Sequence, residues 1–398
     1  MEVSSDAGLF SFRDLDEAAQ LTESGAAELF DFRTGSNIRH AMTALLRQSI
    51  YSRLAGYEDI NDAERLRADP VMRHVVGGRA VDRDAASTSQ VARFETDVLC
   101  HPDNLDALMA MSGQWVDRIR QRRPTDRLIL DMDSSVSPTY GEQEGTAYNG
   151  HFGCECYHPL FLFNQDGDLE RALLRSGNVA SADDWLAVLE PVIARYRNLG
   201  IPKYFRGDAA FALPELYALL EGETYGYAIR LKSNAVLERQ IEHLLTRPVG
   251  RPPKQPQRVY HSSVYRAESW DRARRVVAKI EWHPGELFPQ VGFIVTNLTG
   301  SPKSVVRFLQ PAWDRRAVDQ RRQMRRALDP PVLSQLRGQP GSPATARPGL
   351  QPRQLPQAIG PAASRETLDS HNATRQAGQD RLQDRVPRSI CDVPVGGS

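Results

Sequence analysis

Two aspartates, Asp133 and Asp208, close hydrophobic runs, LILDMD and IPKYFRGDAAF. Small residues flank both: Ser134 and Ser135 beside the first, Gly207, Ala209 and Ala210 beside the second. Carboxylates at strand ends can hold Mg²⁺ or Mn²⁺, which keep part of their water and take substrate phosphate as a further ligand. A pair of such ions activates water on one side of a phosphodiester and stabilises the leaving oxygen on the other. If the two runs form neighbouring strands, their carboxylates converge at one sheet edge. Asp131 alternates onto the same face as Asp133, so both are candidates to line one site. On spacing alone, aspartates at strand ends are more often caps or turn formers.

Other reactive pairs carry less. Glu142 and Glu144 in GEQEG sit two apart in a loop, which sets no useful separation for a glycosidase acid and base. Cys154 and Cys156 share one face of a strand and read as small buried hydrophobes. His151 and His158 flank them but complete no metal-ligand spacing. The glycines near Asp208 form no phosphate-cradling loop.

These side chains need elements to hold them. The first 95 residues read as helical and polar. NIRHAMTALLRQSIYSRLAGYED sets Ile38, Met42, Leu45, Leu46 and Ile50 at near-helical spacing, with Arg39, Arg47 and Arg53 between them. Helical modules with interleaved arginines dock on DNA or are simply solvated helices. A short helix is expected over Asn61–Leu66, capped by Asn61, and GGRAVDRDAASTS reads as a connector. From Arg127 the texture turns to α/β. LILDMD reads as a buried strand, HFGCECYHPLFLFN as a strand with a bend, and LERALLRSGN as a third strand or a short helix. SADDWLAVLEPVIARYRNLG predicts a helix with a Ser181/Asp184 capping box and a stripe of Leu186, Leu189, Ile193 and Tyr196. Pro191 is expected to kink it or mark its start. IPKYFRGDAAF is the next strand, and residues 225–300 lean towards β structure. Within that stretch, RPVGRPPKQPQR is a basic loop suited to phosphates or to solvent. The order of strands and helices implies a mixed sheet covered by helices.

The chain has 398 residues, long for one compact domain, with 50 basic and 50 acidic side chains. The balance is uneven: residues 309–398 hold 14 Arg, no Lys and 8 acidic residues, leaving the first 308 residues net acidic. A uniformly basic nucleic-acid coat is excluded, but local basic faces are not. Four scattered cysteines support neither a disulfide framework nor a four-thiolate zinc site. The start lacks a signal pattern and no apolar run is long enough to span a membrane, so a soluble, cytoplasmic protein is expected. Residues 309–398 contain 11 Pro, 11 Gln and no Phe or Tyr, and are expected to be disordered.

Taken in order, LDMDSSVSPTYGEQEG, HFGCECYHPLFLF, YFRGDAAFALPEL, YGYAIRLKSN and RPVGRPP resemble the DDE transposases of bacterial insertion sequences. The resemblance runs from Asp31 to Phe308. It implies a helical DNA-binding region (1–95) and a ribonuclease H-like α/β core (96–308) with a β-rich insertion at about 222–300. It matches Asp133 and Asp208 to the first two catalytic aspartates, metal ligands for Mg²⁺ or Mn²⁺, and makes Arg206, Arg230 and Lys232 candidate DNA-binding neighbours of phosphate, each equally suited to a structural ion pair. The implied partners are double-stranded DNA at element terminal repeats, target DNA and a second copy in a homodimer.

The family's third motif, Y-x-x-R-x-x-x-E followed after six residues by K, is expected shortly after Phe308 and is absent. The only glutamate downstream is Glu366. Synonymous codons exist for residues 308–325 in which deleting one base after the Phe308 codon yields YNRRGTAEQWIKEGK, carrying Tyr, Arg, Glu and Lys at the family spacing. The expectation is therefore a one-nucleotide frameshift at Phe308–Leu309, an out-of-frame tail and impaired cleavage. The alternatives are a native extension, a DNA-binding remnant that represses transposition by competing for element ends, and an unrelated phosphoesterase.

Overall fold

A computed structural model describes residues 4, 6–34, 38–57, 59–139, 143–246 and 254–309. Glu142, the 247–253 part of the basic loop and the tail from 310 onward lie outside the described residues.

The helices are α1 (Leu9–Ala19), α2 (Leu21–Glu28), α3 (Met42–Leu54), α4 (Ala63–Leu66), α5 (Pro70–Val76), α6 (Thr88–Arg93), α7 (Pro102–Arg122), α8 (Trp185–Tyr196), α9 (Pro214–Gly222) and α10 (Ala235–Ile241). The strands are β1 (Leu128–Ser134), β2 (Ser137–Pro138), β3 (Ala147–Asn149), β4 (Cys154–Tyr157), β5 (Leu160–Phe163), β6 (Leu169–Leu173), β7 (Lys203–Gly207), β8 (Gly226–Leu231), β9 (Gln257–Tyr265), β10 (Arg274–Trp282) and β11 (Gln290–Thr296). Residues 302–309 add a final helical segment.

Eight strands form one mixed sheet in the order β6-β5-β1-β7-β8-β11-β10-β9. β1, β7 and β8 run parallel, and every other neighbouring pair is antiparallel. The first five strands are a ribonuclease H-like sheet. The β-rich segment does not make a separate body: β11, β10 and β9 extend the same sheet from the β8 edge. β8, which the sequence boundary near 222 assigns to the insertion, is a core strand paired in parallel with β7.

One face of the sheet carries Leu128, Leu130, Met132, Leu160, Leu162, Phe205, Tyr227 and Ile229, buried with Val188, Leu189, Val192 and Ile193 of α8. Each such Leu, Ile or Val contributes about 1.5–3 kcal/mol through burial. The opposite face carries Ala228, Val277 and Ile294, packed against Val305, Val306 and Leu309.

Several local expectations need correction. The short helix near residue 61 is capped by Asp59, whose side chain accepts from Asn61 N, so Asn61 is the capped residue and not the cap. No Ser181/Asp184 box forms. Asp184 itself sits at the N-cap with φ 56° and no side-chain cap bond, while Ser181 lends its carbonyl to Arg175. Leu186 is exposed, so the buried stripe of α8 is Val188, Leu189, Val192, Ile193 and Tyr196, and Pro191 lies within the helix. The expected stripe of α3 is buried at Leu45 and Leu46, but Ile38 lies outside the helix and is exposed. The bend in HFGCECYHPLFLFN separates β4 from β5, and β4 joins a small sheet with β2 and β3.

The long helix α7 has no counterpart in the sequence reading, although Pro102 at its first turn and its 21-residue length are strong helix signals. Its Met111 lies in a buried cluster with Leu29, Leu45, Leu46, Phe94 and Val98. Its Arg120 reaches Glu170 of β6 at 3.1 Å, and its Asp106 holds Arg171 at the same distance. Glu170 is wholly buried and also accepts from Asn164 and the Tyr196 hydroxyl at 2.9 Å, beside Arg195. These bonds offset the cost of burying its charge. α7 thus ties the helical region to the sheet, and the two belong to one compact unit.

Candidate active site

Register places the two candidate aspartates together. In the parallel β1–β7 pair, Leu130 lies opposite Phe205 and Asp131 opposite Arg206. Two steps further along the same register stand Asp133 and Asp208, at the carboxyl ends of strands spaced about 4.8 Å apart. The β7–β8 pair sets Gly207 opposite Ile229, and the next position pairs Asp208 with Arg230. Asp133, Asp208 and Arg230 therefore form one row across three parallel strands. All three alternate onto the face that carries Ala228 and Ile294.

Local chemistry explains how each is held. On its other side Asp133 lies opposite Phe161 of β5, and just beyond it Ser135 N–H donates to Pro159 O at 3.1 Å, locking the start of the connection to the small sheet. Asp208 leaves β7 in extended conformation and caps the short 3-10 turn Ala209–Phe211, its Oδ1 accepting from Ala210 N at 2.9 Å. Phe211 is fully buried beneath that turn. A Cβ at Gly207 would stand 3.2 Å from Phe205 and from Phe211, so glycine lets the strand end close down on this anchor.

Asp131 and Arg206 do not join the row. Arg206 is buried and clasps Asp131 with two bonds of 2.5 Å, Nε to Oδ1 and Nη2 to Oδ2. Its Nη1 donates to the Phe308 carbonyl at 3.0 Å, and its guanidinium lies 5.4 Å from the Phe308 ring centre. The sequence reading made Asp131 a candidate for the site and left Arg206 between a phosphate neighbour and a structural ion pair. The structure sinks both into an ion pair one row below, because strand alternation returns to the same face about 6.6 Å away. Arg230 is half-buried and Lys232 exposed just past the end of β8, both at the acid end of the sheet.

Of the arginines interleaved in the N-terminal helices, Arg47 turns inward and Arg53 is held at the surface. Arg47 donates to Thr22 Oγ1 at 2.9 Å and lies near Asp16, and Arg53 pairs with Glu95 at 2.9 Å. Arg39 is exposed.

Two aspartates with hard oxygen donors suit a divalent cation that retains water. Among the described residues no cluster of three His, Cys, Asp or Glu side chains forms a metal site. The helical segment 302–309 lies on the face of the acid row, and Phe308 reaches β7 through Tyr204 and Arg206. The sequence reading did not anticipate that placement, which brings the chain at Phe308 to the acid-bearing strands. Among the described residues no helix is long and apolar enough to cross a membrane.

No curated protein matches the chain. Among solved structures it is similar to the piggyBac transposase of a cryo-EM synaptic complex with hairpin DNA, at 11% identity and a TM-score of 0.33. That likeness covers 71% of this chain and 58% of the piggyBac chain. The family model described as "Transposase DDE domain group 1" matches residues 1–317 and leaves 318–398 outside. With that match spanning the helical region, the sheet and the final helical segment, the chain belongs to the DDE transposase family.

Proposed function

We propose that this chain derives from an insertion-sequence transposase that cuts and joins phosphodiesters at element ends, and that cleavage by the polypeptide as written is impaired. The carrying observation is the register that sets Asp133 and Asp208 on one face at the carboxyl ends of adjacent parallel strands. A bound Mg²⁺ or Mn²⁺ supplies activation of the attacking water or 3′-hydroxyl and stabilisation of the leaving oxygen. The protein's part is to hold two carboxylates in fixed register. Ala210 N–H steadies Asp208, β5 and β7 flank Asp133, and Arg230 and Lys232 add positive charge beside the row for phosphate.

Impairment follows from the missing third carboxylate. Downstream of Phe308 the only glutamate is Glu366, without its motif, and the family match stops at residue 317. A one-nucleotide frameshift at Phe308–Leu309 accounts for the missing motif. Nicking of element-end DNA in Mn²⁺ by the chain as written tests impairment: background rates are expected, and efficient cleavage would sink the idea. Sequencing the coding DNA across codons 305–326 tests the frameshift. A shifted frame that encodes Tyr, Arg, Glu and Lys at the family spacing is expected, and its absence makes the tail a native extension.

A second reading has its own support. The N-terminal helices bury a cluster of their own around Leu45, Leu46, Phe94 and Val98, separate from the cluster under the sheet. A chain that binds element ends without cutting them would act as a competing repressor. Retained, salt-sensitive binding to terminal DNA without nicking is the expected signature.

A further inference from the structure

β4 carries two thiols that the acid row does not use. Cys154 and Cys156 stand two apart on this strand, so their side chains leave it on the same side. The sequence reads both as small buried hydrophobes, which holds for Cys156 but not for Cys154. Cys156 is fully buried, whereas Cys154 is half-buried and forms the exposed end of the pair. A Cβ on Gly177 would stand 2.8 Å from Cys156 Sγ, so the backbone there closes one side of the buried sulfur. The Cys156 thiol, held protonated by burial and by the Cys154 and Glu155 charges beside it, lies in hydrogen-bonding reach of the Cys154 sulfur.

Spacing decides what can bridge these sulfurs. Residues two apart on a strand have their Cβ atoms about 6.6 Å apart. A disulfide needs about 3.5–4.5 Å between Cβ atoms, so the pair cannot close without bending β4. β4 is the central strand of the small sheet, paired with β2 on one edge and β3 on the other, which opposes such a bend. A metal ion in line between the sulfurs, about 2.3 Å from each, needs them only about 4.6 Å apart. Side chains that lean towards each other by about 1 Å each meet that demand.

The donor count narrows the ion. Among the described residues no third His, Cys, Asp or Glu completes a metal cluster. Structural Zn²⁺ takes four donors, whereas soft thiolates select Cu⁺, for which two in line are enough.

We propose that Cys154 and Cys156 form a two-thiolate site for a soft, two-coordinate cation of the Cu⁺ class. Binding releases the thiol protons to solvent and forms two metal–sulfur bonds, with no change of oxidation state. The site belongs to the small sheet and does not depend on the transposase reading.

The test uses the full chain carrying Cys100→Ser and Cys391→Ser, so that this pair supplies its only thiols. Cu⁺ is offered without oxygen as a coloured chelate, and its transfer to the protein is followed by loss of the chelate's absorbance. Uptake of one Cu⁺ per chain is expected, and Zn²⁺ in about tenfold excess is expected not to displace it. Cys154→Ser and Cys156→Ser are each expected to weaken binding at least about a hundredfold, because a single thiolate forfeits the chelate. If the buried Cys156→Ser fails to fold, the half-buried Cys154→Ser carries the test alone. No uptake by the two-thiol chain, or uptake unchanged in Cys154→Ser, overturns the site. A Cys154–Cys156 disulfide in the chain purified in air, read by mass spectrometry, overturns it too, because β4 would then yield to ring closure.

Discussion

Arg206 and Asp131 close a two-pronged ion pair across β1 and β7, each bond 2.5 Å long, one row below the row that holds Asp133 and Asp208. The pair lies in the interior: the side chains of Arg206 and Asp131 are 3% and 13% exposed. It joins the two acid-bearing strands and, through the Phe308 carbonyl, fixes the final helical segment to them. The pair is a positioning device for the face on which the reactive row stands.

Removing one partner should therefore cost more than a surface ion pair. Arg206→Met strands a partly buried carboxylate and is expected to destabilise the fold by about 3 kcal/mol in urea unfolding. Arg206→Lys should recover little of it, because an ammonium cannot reproduce the two-pronged geometry. A variant as stable as wild type would show that the pair contributes nothing.

Asp208 has two separable duties. Asp208→Asn keeps the side-chain oxygen that caps Ala210 N, whereas Asp208→Ala loses it. Alanine is expected to cost about 1 kcal/mol in stability and asparagine much less. Both should lower Mn²⁺ affinity, read by electron paramagnetic resonance, as should Asp133→Asn. Unchanged Mn²⁺ binding in all three would remove these aspartates from the site.

Acid should loosen the underside of the sheet near Glu221. Burial raises the pKa of this carboxyl, but Arg274, Arg272 and the Tyr227 hydroxyl outweigh it and hold it below its ordinary value of 4.5. A depressed folded-state pKa means that the stabilisation is fully present above about 4.5 and is lost as pH falls through the folded value. Glu221→Gln should lower Tm at pH 7, with the gap to wild type closing as pH falls below about 4.5 and through the depressed folded-state value. A gap that stays constant down to low pH would exclude this carboxylate as the source.

Gly177 is a steric requirement. A Cβ there would stand 2.4 Å from both the Ala147 and Cys156 carbonyl oxygens, in a place where backbone cannot yield cheaply. Gly177→Ala is expected to cost about 1–3 kcal/mol and to deprotect the amides of β3 and β4 in hydrogen exchange. Protection equal to wild type would mean that the small sheet shifts freely.

Restoring the alternate frame after Phe308 should add the missing carboxylate next to the face where Val305 and Val306 already pack. The re-framed protein is expected to nick element-end DNA in Mn²⁺ at a rate at least about a hundredfold above the chain as written. Equal rates would mean that the third ligand lies elsewhere.

What could be read from the residues alone was local in origin. The apolar run ending in Asp131 and Asp133, the strand ending at Gly207, the stripes of α3 and α8 and the strands of 257–296 follow from periodicity within a dozen residues. The two aspartates were legible because each closes such a run. Other local signals misled at their edges: Asp59 outcompeted Asn61 as a cap, and the Ser181/Asp184 box gave way to a turn held by Arg175. The decisive facts are non-local. That β1 and β7 are parallel neighbours depends on pairing residues 75 apart, as Asp131 and Arg206 show. The inward turn of Arg206, the bridging role of α7 and the joining of β9–β11 to the same sheet depend on which surfaces meet. The resemblance left Arg206 between phosphate and a structural ion pair; only the fold, by burying it beside Asp131, decided for the pair. Strand alternation is written in the sequence, but the register that sets Asp133 against Asp208 arises only when separate strands dock.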